Sequence, residues 1–420
     1  MSYDTDFMSH PATTASYRDA QARAKAPKPQ FDANAKAEFL LNRPPAPTWN
    51  RLKMNDSVVA IDAPTTDGAG CVTFDIPEGV LAGQFGVRDT SIENTGNQTL
   101  ADAFDAALAQ ADPEHTFEMG AGADATAWLE ASTSRKVVVV VPEDAHPSKP
   151  LLVNIDAADG AHTVAAVDVV AKPGSSLTIF TCTNSPSAGV GAAGTLVRVI
   201  ADAHSNVAIR QLQTLDSTYQ NLDNVGALTG DDAHIDVQQI ALGARQHFDG
   251  TAVDLLGLRS SCNVDARYLG HDENELDYNY VLRQRGAKTH TYTFANGVLA
   301  DKSQKLLRDT IDLIHGGKGA VGREKENVLL TSDDVRNKSL PAILCDEDDV
   351  QGDHGASIGH VNPEQRDYMQ TRGLTLEQIE DLFESAAFDY AADHAIGQRA
   401  HDAVDRLAVK VLGHTTNEEA

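Results

Sequence analysis

From about residue 135 to 330 the chain repeats one pattern, a short polar turn followed by alternating residues, at a nearly constant interval. Few folds accept such a pattern. The turns precede Leu177, Val207, Ile235, Val264, Thr291 and Val321, at intervals of 30, 28, 29, 27 and 30 residues. Leu177-Thr178-Ile179-Phe180 and Val207-Ala208-Ile209 alternate with the two-residue period of a strand. A unit this short cannot close its own apolar face, so successive units must stack and bury one another. A β-sandwich would turn roughly every 8–12 residues. Alternating α/β units would need helical segments between strands, and none is readable from 160 to 320. The expected fold is therefore mainly β, a parallel β-helix core.

The flanks read differently. The five valines Val137 to Val141, ended by Pro142, mark a strand buried on both faces and the start of the core. Three parts follow: a helix-leaning, partly disordered region over 1–130, the β-helix over 131–358 and a helical region over 359–420. In the first part, Ala20 to Pro47 is rich in Ala, Pro, Lys and Gln, and Thr99 is expected to cap a helix carrying Leu100, Phe104, Leu108 and Ala111 before Pro113. In the last part, Asn362-Pro363 opens a short helix closed at Arg372-Gly373. Thr375 and Gln378 form a capping box for a second helix, which buries Leu376, Ile379, Leu382, Phe383 and Ala386. A third carries Ile396, Ala400, Val404, Leu407 and Val411 and stops at Gly413. These stripes need a cover, either the solenoid's end or a partner's surface.

Charge excludes one class of function. The 61 acidic residues outnumber 34 Lys and Arg, giving a formal charge of −27 without a basic run, so nucleic acid is not a partner. Acid spread along the whole chain fits a solvated, halophilic surface in molar salt, where the Debye length is about 3 Å. The N-terminus lacks an apolar h-region and no 18-residue apolar run occurs, which points to a cytoplasmic protein that does not bind membranes. The cysteines, Cys71, Cys182, Cys262 and Cys345, form no C-x-x-C pair.

Nor is an enzyme signature present. No Walker loop, dinucleotide fingerprint or Gly-x-Ser-x-Gly elbow occurs, so no nucleotide of its own is expected. His315-Gly316-Gly317-Lys318-Gly319 reads as a tight turn, and His162, His204, His234 and His290 as turn or surface residues. Carbohydrate-active enzymes also use β-helices, but they favour secretion and aromatic platforms. The two tryptophans here, Trp49 and Trp128, both lie outside the repeat. One segment stands apart: Cys345 to His360 puts thiol, carboxylates and imidazole within sixteen residues. These are the donor types that hold iron–sulfur species and ferrous iron.

At this segment the chain resembles the SufB/SufD family of iron–sulfur cluster assembly proteins. The resemblance is carried by Asp348-Asp349-Val350, His354-Gly355-Ala356-Ser357-Ile358-Gly359, Glu364-Gln365, Tyr368 and Arg372-Gly373-Leu374. Weaker similarity runs through Asn327-Val328-Leu329-Leu330, Lys149-Pro150-Leu151 and Trp49-Asn50-Arg51. It implies a right-handed parallel β-helix and a non-enzymatic scaffold subunit. The partners implied are a SufB-type paralogue in a heterodimer, or a second copy in a homodimer, and the SufC ATPase. An iron or iron–sulfur cluster would form transiently at the subunit interface.

The family's histidine falls on His354, whose basicity Asp353 and Asp349 would raise if close, with Cys345 a weaker ligand candidate. The helical face of Leu376, Ile379, Leu382 and Phe383 would engage the ATPase. Two departures bear on the assignment. Gly352 stands where SufD relatives often carry cysteine, and the region around Asn327 lacks the upstream cysteine of SufB. The chain thus resembles the SufD branch, with a SufB-type scaffold and a carbohydrate-active enzyme as the alternatives. Cys345 is expected to be a buried thiol of the last strand.

Overall fold

The computed structural model describes residues 28–66, 70–91, 93–113 and 116–416. Residues 20–27 of the Ala20 to Pro47 segment therefore lie outside the described residues. The core is a β-solenoid of about eight turns. Each rung gives one strand to each of two nine-stranded sheets. One sheet runs through β8 (Ser176–Asn184), β10 (Asn206–Thr214), β12 (His234–Ala241), β14 (Ser261–Gly270), β16 (His290–Leu299), β18 (Ala320–Leu330) and β20 (Val350–His360). The other runs through β5 (Thr133–Val141), β7 (His162–Ala171), β9 (Gly191–Ala201), β11 (Tyr219–Thr229), β13 (Gln246–Leu255), β15 (Glu275–Gln284), β17 (Gln304–Leu313) and β19 (Arg336–Cys345). These rungs pair in parallel, and inward-facing Val, Leu, Ile and Ala from both sheets form one continuous core.

The repeat is built at its turns. Asp144, Gly174, His204, Asp232, Arg259, Lys288 and Gly319 occupy equivalent positions just before the strands of the first sheet, all with φ between 54° and 74°. That left-handed corner explains the Gly, Asp and His content of the turns. The corners also bond to one another: the N–H of Gly174 donates to the carbonyl of Ala203, His204 to Asp231, Asp232 to Leu258 and Arg259 to Ala287.

Turn spacing gives the register correctly at first and then slips. Leu177, Val207 and Ile235 are register partners. The partner of Ile235 is Cys262 rather than Val264, a two-residue shift that keeps the same face inward. Thr291 pairs with Gly322 rather than Val321. A Cβ at Gly322 would lie 2.5 Å from Ile311 Cγ2, so the facing sheet requires glycine at that inward position.

The N-terminal part holds strands as well as helices. β1 (Ala37–Leu41) and β2 (Ser57–Ile61) form an antiparallel pair, while β3 (Cys71–Asp75) and β4 (Leu81–Gly86) add antiparallel to β6 (Leu151–Asp156) and β5, closing the first rung. Asn97, not Thr99, caps the expected helix: its side chain accepts from the Leu100 N–H, and the segment divides into α1 (Gln98–Ala101) and α2 (Ala103–Ala111). α3 (Ala123–Ser132) places Trp128, which is fully buried, between the first hairpin and the outer face of the β5–β19 sheet. His162 is also buried there, edge-on to Trp128 at 5.4 Å, and not a surface residue.

The C-terminal part lies on the opposite flank. α4 (Pro363–Thr371) has its Asn362 cap, and α5 (Leu376–His394) has the Thr375/Gln378 capping box. α6 (Gln398–Leu412) begins after Gly397 and ends at Gly413. Phe388, Val404 and Leu407 pack on Phe180, Leu212, Ile240 and Leu269. The solenoid's middle flank thus covers α6 and the C-terminal half of α5, whereas Leu376 and Leu382, expected to be buried, are 51% and 49% exposed because neither side chain joins the cluster packed on the solenoid. No helix among the described residues is long and apolar enough to cross a membrane.

Candidate functional site at the last rung

Two flanks are covered and the first rung is closed, but among the described residues nothing covers the last rung. β20 pairs with β18 alone and β19 with β17 alone. Nine of the eleven residues of β20 are exposed, Ile358 among them at 46%. His354 sits at the centre of this strand, its neighbour Gly355 leaving open space beside it.

Strand alternation separates residues that adjoin in sequence. Asp353 points to the face opposite His354, where it accepts from Gln351 and lies 3.6 Å from Arg323, so it does not serve the imidazole. Gly352 shares the face of His354, and a Cβ there would meet Ile343 at 3.0 Å. Cys345 ends β19 and is exposed, not buried as expected; its thiol donates to the Glu347 carbonyl at 3.3 Å. His354 belongs to the other sheet and lies four residues, about 13 Å, into its strand, so the fold does not bring the two together by sequence proximity alone. Of the four residues expected to meet a partner on α5, Leu376 and Leu382 are exposed, Phe383 is half-buried and Ile379 is buried.

Behind the last rung the interior turns acidic. Glu324 is the register partner of His354, yet it is 6% exposed, and no side chain donates a hydrogen bond to its carboxyl. Burial, then the nearby charge of Asp309, raises the Glu324 carboxyl; burial raises Asp309 as well. The pair therefore retains protons near neutral pH. Lys305 and Glu326 form a buried ion pair alongside, with Lys305 also 3.1 Å from Ser339.

A second buried polar group lies deeper, on β11 and β13. Burial lowers His247 to about 3 and raises Asp223 to about 6, while Asp249 is raised well above its usual value by burial and by the charge of Asp223. Sequence reading missed this group because its members are not close along the chain. The available signal was Asn221-x-Asp223 followed by His247-x-Asp249, with each pair 26 residues, one rung, apart.

Among the described residues the parallel solenoid is sheathed on both flanks and leaves the strands of its last rung uncovered. The family model described as SUF system FeS cluster assembly, SufBD core domain, matches residues 153–387. The chain belongs to this SufB/SufD family of iron–sulfur cluster assembly proteins. It is similar to the iron–sulfur cluster assembly protein SufD of Bacillus subtilis, 26% identical over 42% of this chain and 40% of that one. A SufBD-family iron–sulfur cluster assembly protein of Pyrococcus horikoshii is 23% identical over 43% of this chain and 40% of its own. The matched region thus spans about two fifths of each relative.

Proposed function

We propose that the chain is a SufD-type scaffold subunit, without turnover of its own, that pairs through its last rung with a SufB-type paralogue or a second copy. The observation that carries this reading is β20, a long, flat strand with a free edge and both faces in solvent. Such an edge pairs readily with another strand unless charge or proline blocks it; β20 contains no proline and no lysine, and the one carboxylate it carries, Asp353, lies 3.6 Å from Arg323. Pairing there would set His354 at the seam, where a neutral imidazole donates to iron or to a forming iron–sulfur cluster, the cargo of the reaction. The exposed side of α5 around Leu376 and Leu382 would receive the SufC ATPase. A cytoplasmic, high-salt setting fits the charge of −27.

The test is co-purification from native lysate with identification of the bound chains, followed by cluster assembly with His354→Ala. Loss of cluster with the complex intact supports the reading. A monomer unable to recruit either partner, or cleavage of a sugar polymer by the purified chain, overturns it. Exposure of Cys345 favours one competing reading, a SufB-type scaffold. Replacing each cysteine with serine separates the two, since a SufB-type chain depends strictly on one thiol.

A further inference from the structure

Midway along the stack the interior ceases to be hydrocarbon. Thr195, Asp223, Asp249 and Tyr278 are successive register partners on β9, β11, β13 and β15, and Asn221 and His247 are partners in the adjoining column. Asp223 and Asp249 are therefore side by side in neighbouring strands and 3% and 1% exposed. Desolvation and like-charge repulsion both oppose that arrangement.

The groups that reach the two carboxylates are all neutral. Thr195 donates to Asp223 Oδ1 at 2.6 Å and Asn221 to Oδ2 at 2.7 Å, while Gln239 donates to Asp249 Oδ2 and Thr251 to Oδ1 at 3.4 Å. Neither carboxylate has a Lys or Arg ion pair among the described residues. Lone pairs remain on each.

His247 completes the cluster. A ring nitrogen of His247 and one oxygen from each aspartate lie within 4.8 Å of one another. Its Nδ1 is 3.0 Å from the Asn221 amide, and its Nε2 has no hydrogen-bond partner although the residue is 2% exposed. The side-chain carbonyl oxygens of Asn221 and Gln239 are likewise buried without partners.

We propose that Asp223, Asp249 and His247 bind a divalent transition-metal ion inside the solenoid. Two carboxylates balance the ion's charge, and one imidazole adds a borderline nitrogen donor. That set suits ferrous iron, manganese, cobalt or zinc better than the all-oxygen calcium site or the thiolate-rich copper(I) site. Ligand atoms around an ion bound at about 2 Å stand roughly 3–3.5 Å apart, a spacing that modest side-chain rotation reaches from the present geometry. Asn221, which touches both His247 and Asp223, holds them in place as an outer support. The site is three rungs, about 14 Å, from β19, and so is separate from the seam. Its ion enters as the rungs stack and serves the fold rather than the cargo.

Cobalt(II) is the probe. The full chain is produced in cobalt-supplemented minimal medium and purified natively, its cobalt counted and its visible d–d spectrum recorded. One cobalt per chain is expected in the wild type and in His354→Ala, and less than a tenth of that in Asp223→Asn/Asp249→Asn. His247→Gln should shift the bands, and a chelator should lower the melting temperature of the wild type but not of the double variant. A wild type holding less than a tenth of an equivalent overturns the proposal, even if the double variant fails to fold. So does a double variant with the wild-type content and spectrum. Cobalt lost in His354→Ala alone would assign the metal to the seam and refute the buried site without touching the pairing proposal.

Discussion

His354 and Glu324 are register partners on the last two strands of one sheet, and they occupy opposite environments. The imidazole stands in solvent, while the carboxyl beside it is sealed inside without a side-chain donor. The step from wet to dry takes place across a single strand spacing, about 4.8 Å.

Because His354 is exposed and supports no packing, His354→Ala leaves the fold intact. Thermal unfolding should shift by no more than about 0.5 kcal/mol. Cluster yield with the partner subunits should fall sharply. A variant that assembles clusters at the wild-type rate removes the imidazole from the proposed site.

Gly352→Cys puts a thiol on the face of His354, two residues or about 7 Å away along the strand. Its Cβ asks only that Ile343 give by a few tenths of an ångström. The variant should fold and bind iron more tightly than the wild type, as read by anaerobic iron titration. Unchanged affinity would mean that the face is not where iron is met.

Thiol accessibility divides the four cysteines in two. Cys71 and Cys345 are exposed, while burial pushes the thiol of Cys182 up to about 12 and raises that of Cys262 further. A thiol reagent at pH 8 should titrate two groups in the native protein and four in denaturant. Rapid native modification of all four would contradict the packing of β8 and β14.

Glu384 on α5 is raised to about 7, by burial first and by the charge of Asp301 next, with His271 opposing. The folded protein then holds this proton more tightly than the unfolded chain does. Stability therefore falls as pH rises from about 4.5 to about 7 and is flat above, as far as this group is concerned. Glu384→Gln should remove that slope and stabilise the protein at pH 8 by about 1–2 kcal/mol, the full shift being discounted for partial exposure. Equal pH profiles for the two proteins would rule out the linkage.

For the ATPase contact, Leu376→Asp with Leu382→Asp is a cleaner probe than removing everything after Gly373. Truncation would also bare Phe180, Leu212, Ile240 and Leu269. The double variant should keep the wild-type melting temperature and lose SufC in co-purification. Retention would move the docking surface elsewhere.

Much of the solenoid was legible because its corners adopt positive φ, which favours Gly, Asp and His and places them at five of the seven corners, Arg259 and Lys288 taking the other two. Rung register was less so, since loops between the sheets vary in length and only contacts such as Gly322 against Ile311 set it. The second sheet was hidden where its inward positions are polar, as at Asn221, Asp223, His247 and Asp249, which break the expected apolar alternation. The helices of the last part were read from their caps. Their cover was not, because an amphipathic stripe says which side is apolar and nothing about which surface it meets. The thiol of Cys345 was misjudged for a related reason: a strand residue is buried only if another layer follows, and among the described residues none follows the last rung.

The bonded corners have a consequence for how the chain could lengthen or shorten. Excising 206–233 would join the corner after β9 to the strand start at His234 and preserve the order in which the sheets alternate. Removing half as much would swap every later segment to the wrong wall. Growth or loss of this molecule is therefore quantised in whole coils, and losing this one would remove Leu212 and Leu222, one from beneath each flanking coat, while leaving the last coil's own residues unchanged.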